Sequence, residues 1–212
     1  MLPEWFVSIA IAIRIFGGLS YFRGVFTGRA KPNPITWFIW STTAMVAFAA
    51  QLHEHVGSQA WVTFSLGLTP LLVCIVSLLK NRSESHFTPF NISCGLLALV
   101  GIVLWQATDN ALLAIVFSIF ADTAGSIPTV VKAFRQPASE YAPAYVMSII
   151  SMAITLGTIH TWDFASYAFP AYIAGINLVI FSAIFWGTRV GKRQSSNLNR
   201  QSMPRKRTRQ ST

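Results

Sequence analysis

Charge and turn-forming residues break this chain into seven long apolar stretches, at residues 5–22, 32–53, 55–79, 85–108, 110–131, 141–162 and 164–188. Each is 18 to 25 residues long. A helix rising 1.5 Å per residue needs about 20 apolar residues to cross about 30 Å of hydrocarbon, so each stretch predicts one spanning helix. The alternative way to satisfy a backbone in lipid is a closed barrel of alternating strands of about ten residues, and these runs are twice that length and do not alternate. Turns are predicted at 53–57, 80–85, 107–110, 136–141 and 161–163, where charges and turn formers collect. The expected fold is an all-α integral membrane protein with seven transmembrane helices.

Composition removes the soluble alternatives. Of 212 residues, 53% are hydrophobic and 11% charged, against about 25% charged in a typical soluble domain. The stretches contain only two of the chain's Asp, Glu, Lys and Arg residues, Arg14 and Asp122. One set of connections, with the C-terminal tail, holds Arg23, Arg29, Lys31, Lys80, Arg82, Lys132, Arg135 and the eight basic residues from Arg189 to Arg209. The other set holds no Lys or Arg and carries Glu4, Glu54, Asp109 and Asp163. Basic residues near span ends stay cytoplasmic, so the N-terminus is expected outside and the C-terminus in the cytosol. Acidic Glu4 precedes the first stretch and Arg23 follows it, opposite to a secretory signal, so it is expected to remain as a span. Cys74 and Cys94 lie inside spans at a spacing that matches no redox or metal motif.

The tail 189–212 is basic and rich in Ser, Gln and Asn, a composition that predicts disorder and adhesion to anionic lipid. It lacks aromatic residues for base stacking, so nucleic-acid binding is not expected.

A shift of 108 residues lays the first span on the fifth, the second on the sixth and the third on the seventh. It superposes Ile11 on Ile119, Gly17 on Gly125, Phe26 on Phe134, Ala30 on Ala138, Trp37 on Tyr145 and Gly67 on Gly175. Both triplets begin outside and carry a basic, proline-containing connection after their first helix. With the fourth span left over, the expected organisation is a parallel 3+1+3 repeat. Its parts are a first three-helix bundle over 1–82, a linker helix over 83–109, a second bundle over 110–188 and the tail.

This organisation resembles the PQ-loop and SWEET superfamily of small transporters. The segment from Asp122 through Pro128 and Lys132 to Arg135 is similar to the Pro-containing end of a bundle's first helix in that family. Thr129 stands where the family carries Gln, and the first bundle has Ser20 and Tyr21 at the corresponding place. The stretch from Gly28 to Trp40 is similar to small bacterial membrane proteins related to the group, which implies the bacterial inner membrane. The resemblance further implies substrate contacts at Asn177 and at its repeat partner Thr69, and a hinge at Pro128. Pro70 and Pro170 also lie inside spans, where a kink is allowed, and Pro70 is a second hinge candidate.

Ionisable groups at bilayer depth usually face a bundle interior and often mark a pathway. Arg14 and Asp122 lie about 13 to 15 Å above the inner boundary and coincide under the repeat. They are expected either to line a central substrate cavity, with Asp122 able to carry a proton, or to neutralise each other as a buried pin between bundles. Trp37, Trp40 and Tyr145 begin the second and sixth spans, where belt anchoring is expected for at least two of them. Trp40, one turn deeper than Thr36, is the favoured stacking ring for a sugar, with Tyr145 a further candidate. Trp5, Trp61, Trp105 and Trp162 mark the outer belt and Trp186 the inner one. The His53-Glu54-His55 cluster lacks further ligands for a metal site, and no enzyme motif is evident, so neither metal, cofactor nor enzymatic activity is expected. The reading is a facilitator or proton-linked transporter of a small polar metabolite such as a sugar. A non-transporting scaffold or sensor with an Arg14–Asp122 pin is the alternative. Partners are the substrate, the bilayer and anionic lipid at the tail, and oligomerisation is compatible with either.

Overall fold

The computed structural model describes residues 1–80 and 110–202, with side chains to residue 191 and isolated positions between 89 and 107. The linker helix expected over 83–109, with Cys94, Trp105 and Asp109, lies outside the described residues. Among the described residues there are six α-helices: α1 (Phe6–Phe26), α2 (Pro34–His53), α3 (Ala60–Leu79), α4 (Ala111–Arg135), α5 (Ala142–Gly157) and α6 (Phe164–Ser202). No strand occurs among the described residues. Five spans are long and apolar enough to cross a membrane, as an integral membrane protein requires: Phe6–Phe26, Pro34–His53, Gly57–Leu79, Ala111–Arg135 and Phe164–Gly191. The 16 residues of α5 reach about 24 Å, because its helix ends at Gly157 and the rest of the expected span turns into α6.

Helix starts follow local chemistry. Asn33 Oδ1 accepts the Ile35 N–H at 3.1 Å, with Pro34 in the first turn, where a missing N–H costs nothing. Asn110 caps α4 through the amides of Leu112 and Leu113, and Asp163 caps α6 through Ser166 at 2.8 Å. Pro137 follows α4 and stops it. The helix of α6 continues through Ser202, into the segment that composition marks as disordered. Lys, Arg and Gln are good helix formers, and a packed helix extends without a new nucleation cost.

Hydrogen bonds between connections fix the helix directions. Leu2 N–H donates to the Gly157 carbonyl at 2.8 Å, Gln59 donates to the Thr158 carbonyl at 3.0 Å, and Gln51 donates to the Ala165 carbonyl at 3.2 Å. These place the starts of α1, α3 and α6 at one end, with Glu4, Glu54 and Asp163. At the other end Lys31 N–H donates to the Ser139 carbonyl at 3.1 Å, joining the α1–α2 and α4–α5 connections. Arg23, Arg29, Lys31, Lys80, Lys132, Arg135 and Arg189 belong to this basic end.

Packing closes these helices into a ring in the order α1, α3, α2, α4, α6, α5 and back to α1. Within a triplet the third helix lies against the first and the second. Between triplets α1 meets α5 and α2 meets α4, and the 108-residue shift exchanges these two contacts. The correspondence reaches single side chains. A Cβ at Gly17 would sit 3.0 Å from Met147 Cβ, and one at Gly125 would sit 2.7 Å from Ile39 Cγ2. The shift that maps Gly17 onto Gly125 also maps Ile39 onto Met147. At Gly175, the partner of Gly67 under the shift, nothing lies within 4 Å of a Cβ position.

Polar side chains are gathered among the apolar residues inside the ring, and large apolar side chains cover its outside. Buried residues include Thr36, Ser41, Thr43, Gln51, Thr63, Ser118, Asp122, Ser126 and Ser151, whereas Phe16, Leu19, Phe38, Leu72, Phe120, Leu178 and Phe185 are exposed. Much of the buried polarity is spent on the helix's own backbone: Ser65, Thr69 and Ser77 donate to carbonyls three or four residues earlier. Trp5, Trp61, Trp162 and Trp186 are exposed near helix ends.

Gly125→Ala is expected to lower thermal stability in detergent by about 1–3 kcal/mol through overpacking against Ile39. Ile39→Ala in the same chain should recover most of that loss. Equal melting temperatures for Gly125→Ala with and without Ile39→Ala would contradict the contact.

Candidate functional site

A cavity lies on the ring's axis, lined by Arg14 and Tyr21 of α1, Trp37, Trp40 and Ala44 of α2, and Leu66 and Pro70 of α3. Asp122 of α4, Ala144 and Tyr145 of α5, and Ile173, Ile176 and Asn177 of α6 complete it. All six helices contribute. Its water-accessible space is about 40 Å³, room for a few water molecules in this conformation.

Asp122 is 1% exposed and held by hydroxyls. Thr43 donates to Oδ1 at 2.8 Å, while Tyr172 at 2.8 Å and Ser126 at 3.3 Å donate to Oδ2. Ser126 also accepts the Trp40 indole N–H at 2.8 Å, which extends the network across α2, α4 and α6. Three hydroxyl donors on two oxygens are what keeps a carboxyl group tolerable at bilayer depth.

Arg14 lies across the same cavity but makes no ion pair or hydrogen bond to Asp122. Its Nε is buried without an acceptor. The pin between bundles is therefore not formed here. The shared depth read from the repeat brings both groups to one cavity, but the hydroxyl cage on α2, α4 and α6 takes up the carboxylate.

Toward the basic end the cavity has an aromatic floor. The Tyr21 and Trp37 rings lie 4.4 Å apart, Trp37 and Trp40 5.1 Å, and Tyr21 and Tyr145 6.3 Å edge to face. Trp37 and Tyr145 are 5% and 3% exposed, so they are core residues and not belt anchors. Their places at the starts of α2 and α5 bring them to the axis, because the connections before these helices fold inward. Trp40 is half-buried and lines the cavity.

Below the floor stands Glu140. Its Oε2 accepts from Tyr21 at 2.9 Å and from Tyr145 at 2.7 Å. Its Oε1 lies 2.7 Å from Lys132 Nζ, a charge contact not aligned as a hydrogen bond, and Lys132 also donates to the Lys31 carbonyl. Glu140 is 8% exposed despite lying in a connection. One carboxylate thus ties α1, α4, α5 and both basic-end connections across the axis and closes the cavity at that end.

Sequence reasoning placed Arg14, Asp122, Trp40, Tyr145 and Asn177 in this cavity, and the structure brings these five together. Asn177 spends its amide N–H on the Ile173 carbonyl at 2.7 Å and leaves its carbonyl oxygen toward other donors. Thr69 departs from expectation: it donates to the Ser65 carbonyl, and its methyl fills the space beside Gly18, 2.7 Å from where a Cβ would be. Its neighbour Pro70 faces the cavity instead. Proline lacks an N–H, so Pro70, Pro128 and Pro170 leave the carbonyls of Leu66, Ala124 and Ser166 without their helical donors. Sequence reasoning missed Glu140, Tyr21 and the Thr43, Ser126 and Tyr172 cage. The one available signal for Glu140 was an acid in an otherwise basic connection. At the acidic end a separate pocket of about 230 Å³ holds Glu4, His55, His160 and Asp163. His53 touches Glu54 at 3.4 Å in an exposed turn, and among the described residues no three potential ligands gather for a metal.

No family model, curated protein or solved structure matches this chain.

Since Arg14 and Asp122 share a cavity but do not touch, the stability changes of Arg14→Gln and Asp122→Asn should depart from additivity in the double variant by less than the about 3 kcal/mol at which a contact pair couples. Asp122→Ala, which strands three hydroxyls, should cost about 1–3 kcal/mol. A coupling well beyond the additive limit in thermal unfolding would restore the pin.

Proposed function

We propose that this protein is a transporter of a small polar metabolite, of the PQ-loop and SWEET-like kind, working by alternating access between two three-helix bundles. In this reading it spans the bacterial inner membrane seven times as a parallel 3+1+3 repeat, N-terminus outside and basic tail in the cytosol. The observation that carries the proposal is a cavity on the axis of six helices that holds Arg14, Asp122 and Asn177 among largely apolar walls, sealed toward the basic end by hydrogen bonds and an ion pair. A side-chain seal between two bundles can be broken and remade by rocking them, whereas a packed apolar core would need repacking. The seal centres on Glu140, and among the described residues the bundles meet mainly at α1–α5 and α2–α4, with a minor contact between α2 and α6.

The closed cavity is too small for a metabolite, and the proposal requires it to widen as one end opens. Helices interrupted by Pro70, Pro128 and Pro170 support such bending. The fifteen basic residues outside the bilayer support the orientation. Transport places Asp122 where a proton can be carried, with hydroxyl donors ready for the charged form.

The direct test is thermal unfolding against sugars, organic acids, amino acids, vitamins and organic ions, followed by uptake of any hit into proteoliposomes. A ligand at one hundred times its dissociation constant should stabilise the fold by about 2.7 kcal/mol. Uptake abolished by Asp122→Asn is the expected result, and a binding compound that is never carried across sinks the proposal. A second test addresses the seal. A cysteine placed at Ala144, in a background lacking Cys74 and Cys94, should react faster with a membrane-impermeant thiol reagent from the cytosolic side after Glu140→Ala. Equal rates with and without Glu140 would remove it as the closing element.

A further inference from the structure

The donor inventory of the cavity narrows the kind of molecule it takes. Ten buried side-chain atoms among the described residues lack a hydrogen-bond partner, and only two of them are N–H donors: Arg14 Nε and Trp37 Nε1. Both residues line the cavity. A hydroxyl can turn to find an acceptor, but a guanidinium or indole N–H can only donate. Most donors on the cavity's other polar residues are already engaged, with the Asn177 carbonyl oxygen left as an acceptor. The Trp40 N–H is given to Ser126, the Asn177 amide to its own helix, and the Tyr21 and Tyr145 hydroxyls to Glu140. Asp122 lines the cavity as an acceptor, and both its oxygens already take hydroxyl hydrogen bonds.

What remains is a cation with a planar fork and one indole donor, bounded by Leu66, Pro70, Ile173 and Ile176. We propose that the cavity binds the carboxylate of a small organic monoanion, with Arg14 as its charge partner and Trp37 as a second donor. The proposal rests on the transport reading and names its substrate class. An anion satisfies the unmatched charge that a neutral sugar would leave uncompensated. A carboxylate presents two coplanar oxygens that match the fork, and the apolar walls suit a short carbon chain. The basic residues gathered at the closed end raise the local concentration of anions at that mouth.

The probes are radiolabelled lactate and propionate, binding to the full-length protein in lipid-free detergent, with lactamide, glucose and phosphate as competitors. Uptake of the same labels into proteoliposomes is read in parallel. Lactate or propionate should bind to wild type without competition from lactamide or glucose. Arg14→Gln should weaken binding about tenfold to a hundredfold, as expected for loss of a charged hydrogen-bond partner. Arg14→Lys, which keeps the charge without the fork, should fall between. Trp37→Phe, which keeps a ring and loses the N–H, should weaken binding about two- to tenfold. If Arg14→Gln does not fold, the decision passes to Arg14→Lys and Trp37→Phe, and unchanged affinity in both overturns the proposal. It is also overturned if wild type binds neither label, if lactamide or glucose competes equally, or if phosphate competes better than carboxylates. Uptake of a neutral solute with no carboxylate binding would leave transport standing and this inference fallen. Arg14-dependent carboxylate binding without uptake would uphold the site and reject transport.

Discussion

The two triplets meet through a pair of equivalent glycine contacts, Gly17 on Met147 and Gly125 on Ile39, and these set the dimensions of everything between them. Each glycine lets the first helix of one triplet lie close against the second helix of the other, where lipid gives no hydrophobic drive for association. The contacts flank the axis, so helices touch at its edge and leave space on it. Arg14 and Asp122 lie three residues before these glycines, under one helical turn, and so face the space that the contacts create. A bulkier residue at either glycine would push the bundles apart and change the distance across the cavity.

From that constraint follows the division of labour among polar groups. Several buried Ser and Thr hydroxyls bond to their own helix, and Ser151 bonds across to the Ala10 carbonyl, an interhelical term of about 0.6 kcal/mol. A second set meets side chain to side chain at two levels. One level cages Asp122 from three helices. The other joins Tyr21, Tyr145 and Lys132 on Glu140. The cavity is the interval between these two levels, with Arg14 opposite the first and the aromatic floor above the second.

Much of this was legible in the sequence. Long, nearly charge-free runs predicted the six described helices, turn formers at 107–110 and 161–163 marked the approach to α4 and α6, and the repeat offset predicted that Arg14 and Asp122 share a level. What sequence did not show is rotation. In a soluble helix the apolar stripe reveals the inward face, but here both lipid and core are apolar and the stripe is faint. Trp37 and Tyr145 therefore read as interfacial anchors although they turn to the axis, and Thr69 read as a lining residue although it packs on Gly18. Glu140 was hidden because a charge in a connection reads as solvated until tertiary structure shows the connection folded over the axis. The disorder assigned to the tail failed through Ser202 because composition describes a segment alone, without the helix that feeds into it.

The offset that equates Arg14 with Asp122 sets a condition on how such a molecule can be assembled. Two identical copies of the first triplet, joined about the same axis, would bring two guanidiniums face to face at bilayer depth. Two copies of the second would confront two carboxylates. Either homodimer would carry like charges in a medium that screens them poorly. A single chain with two unlike halves escapes that repulsion, and it also makes the two sides of the interior chemically distinct. The architecture is nearly two-fold in its backbone contacts and polarised in its interior, so an asymmetric molecule has only one favoured way to lie within it.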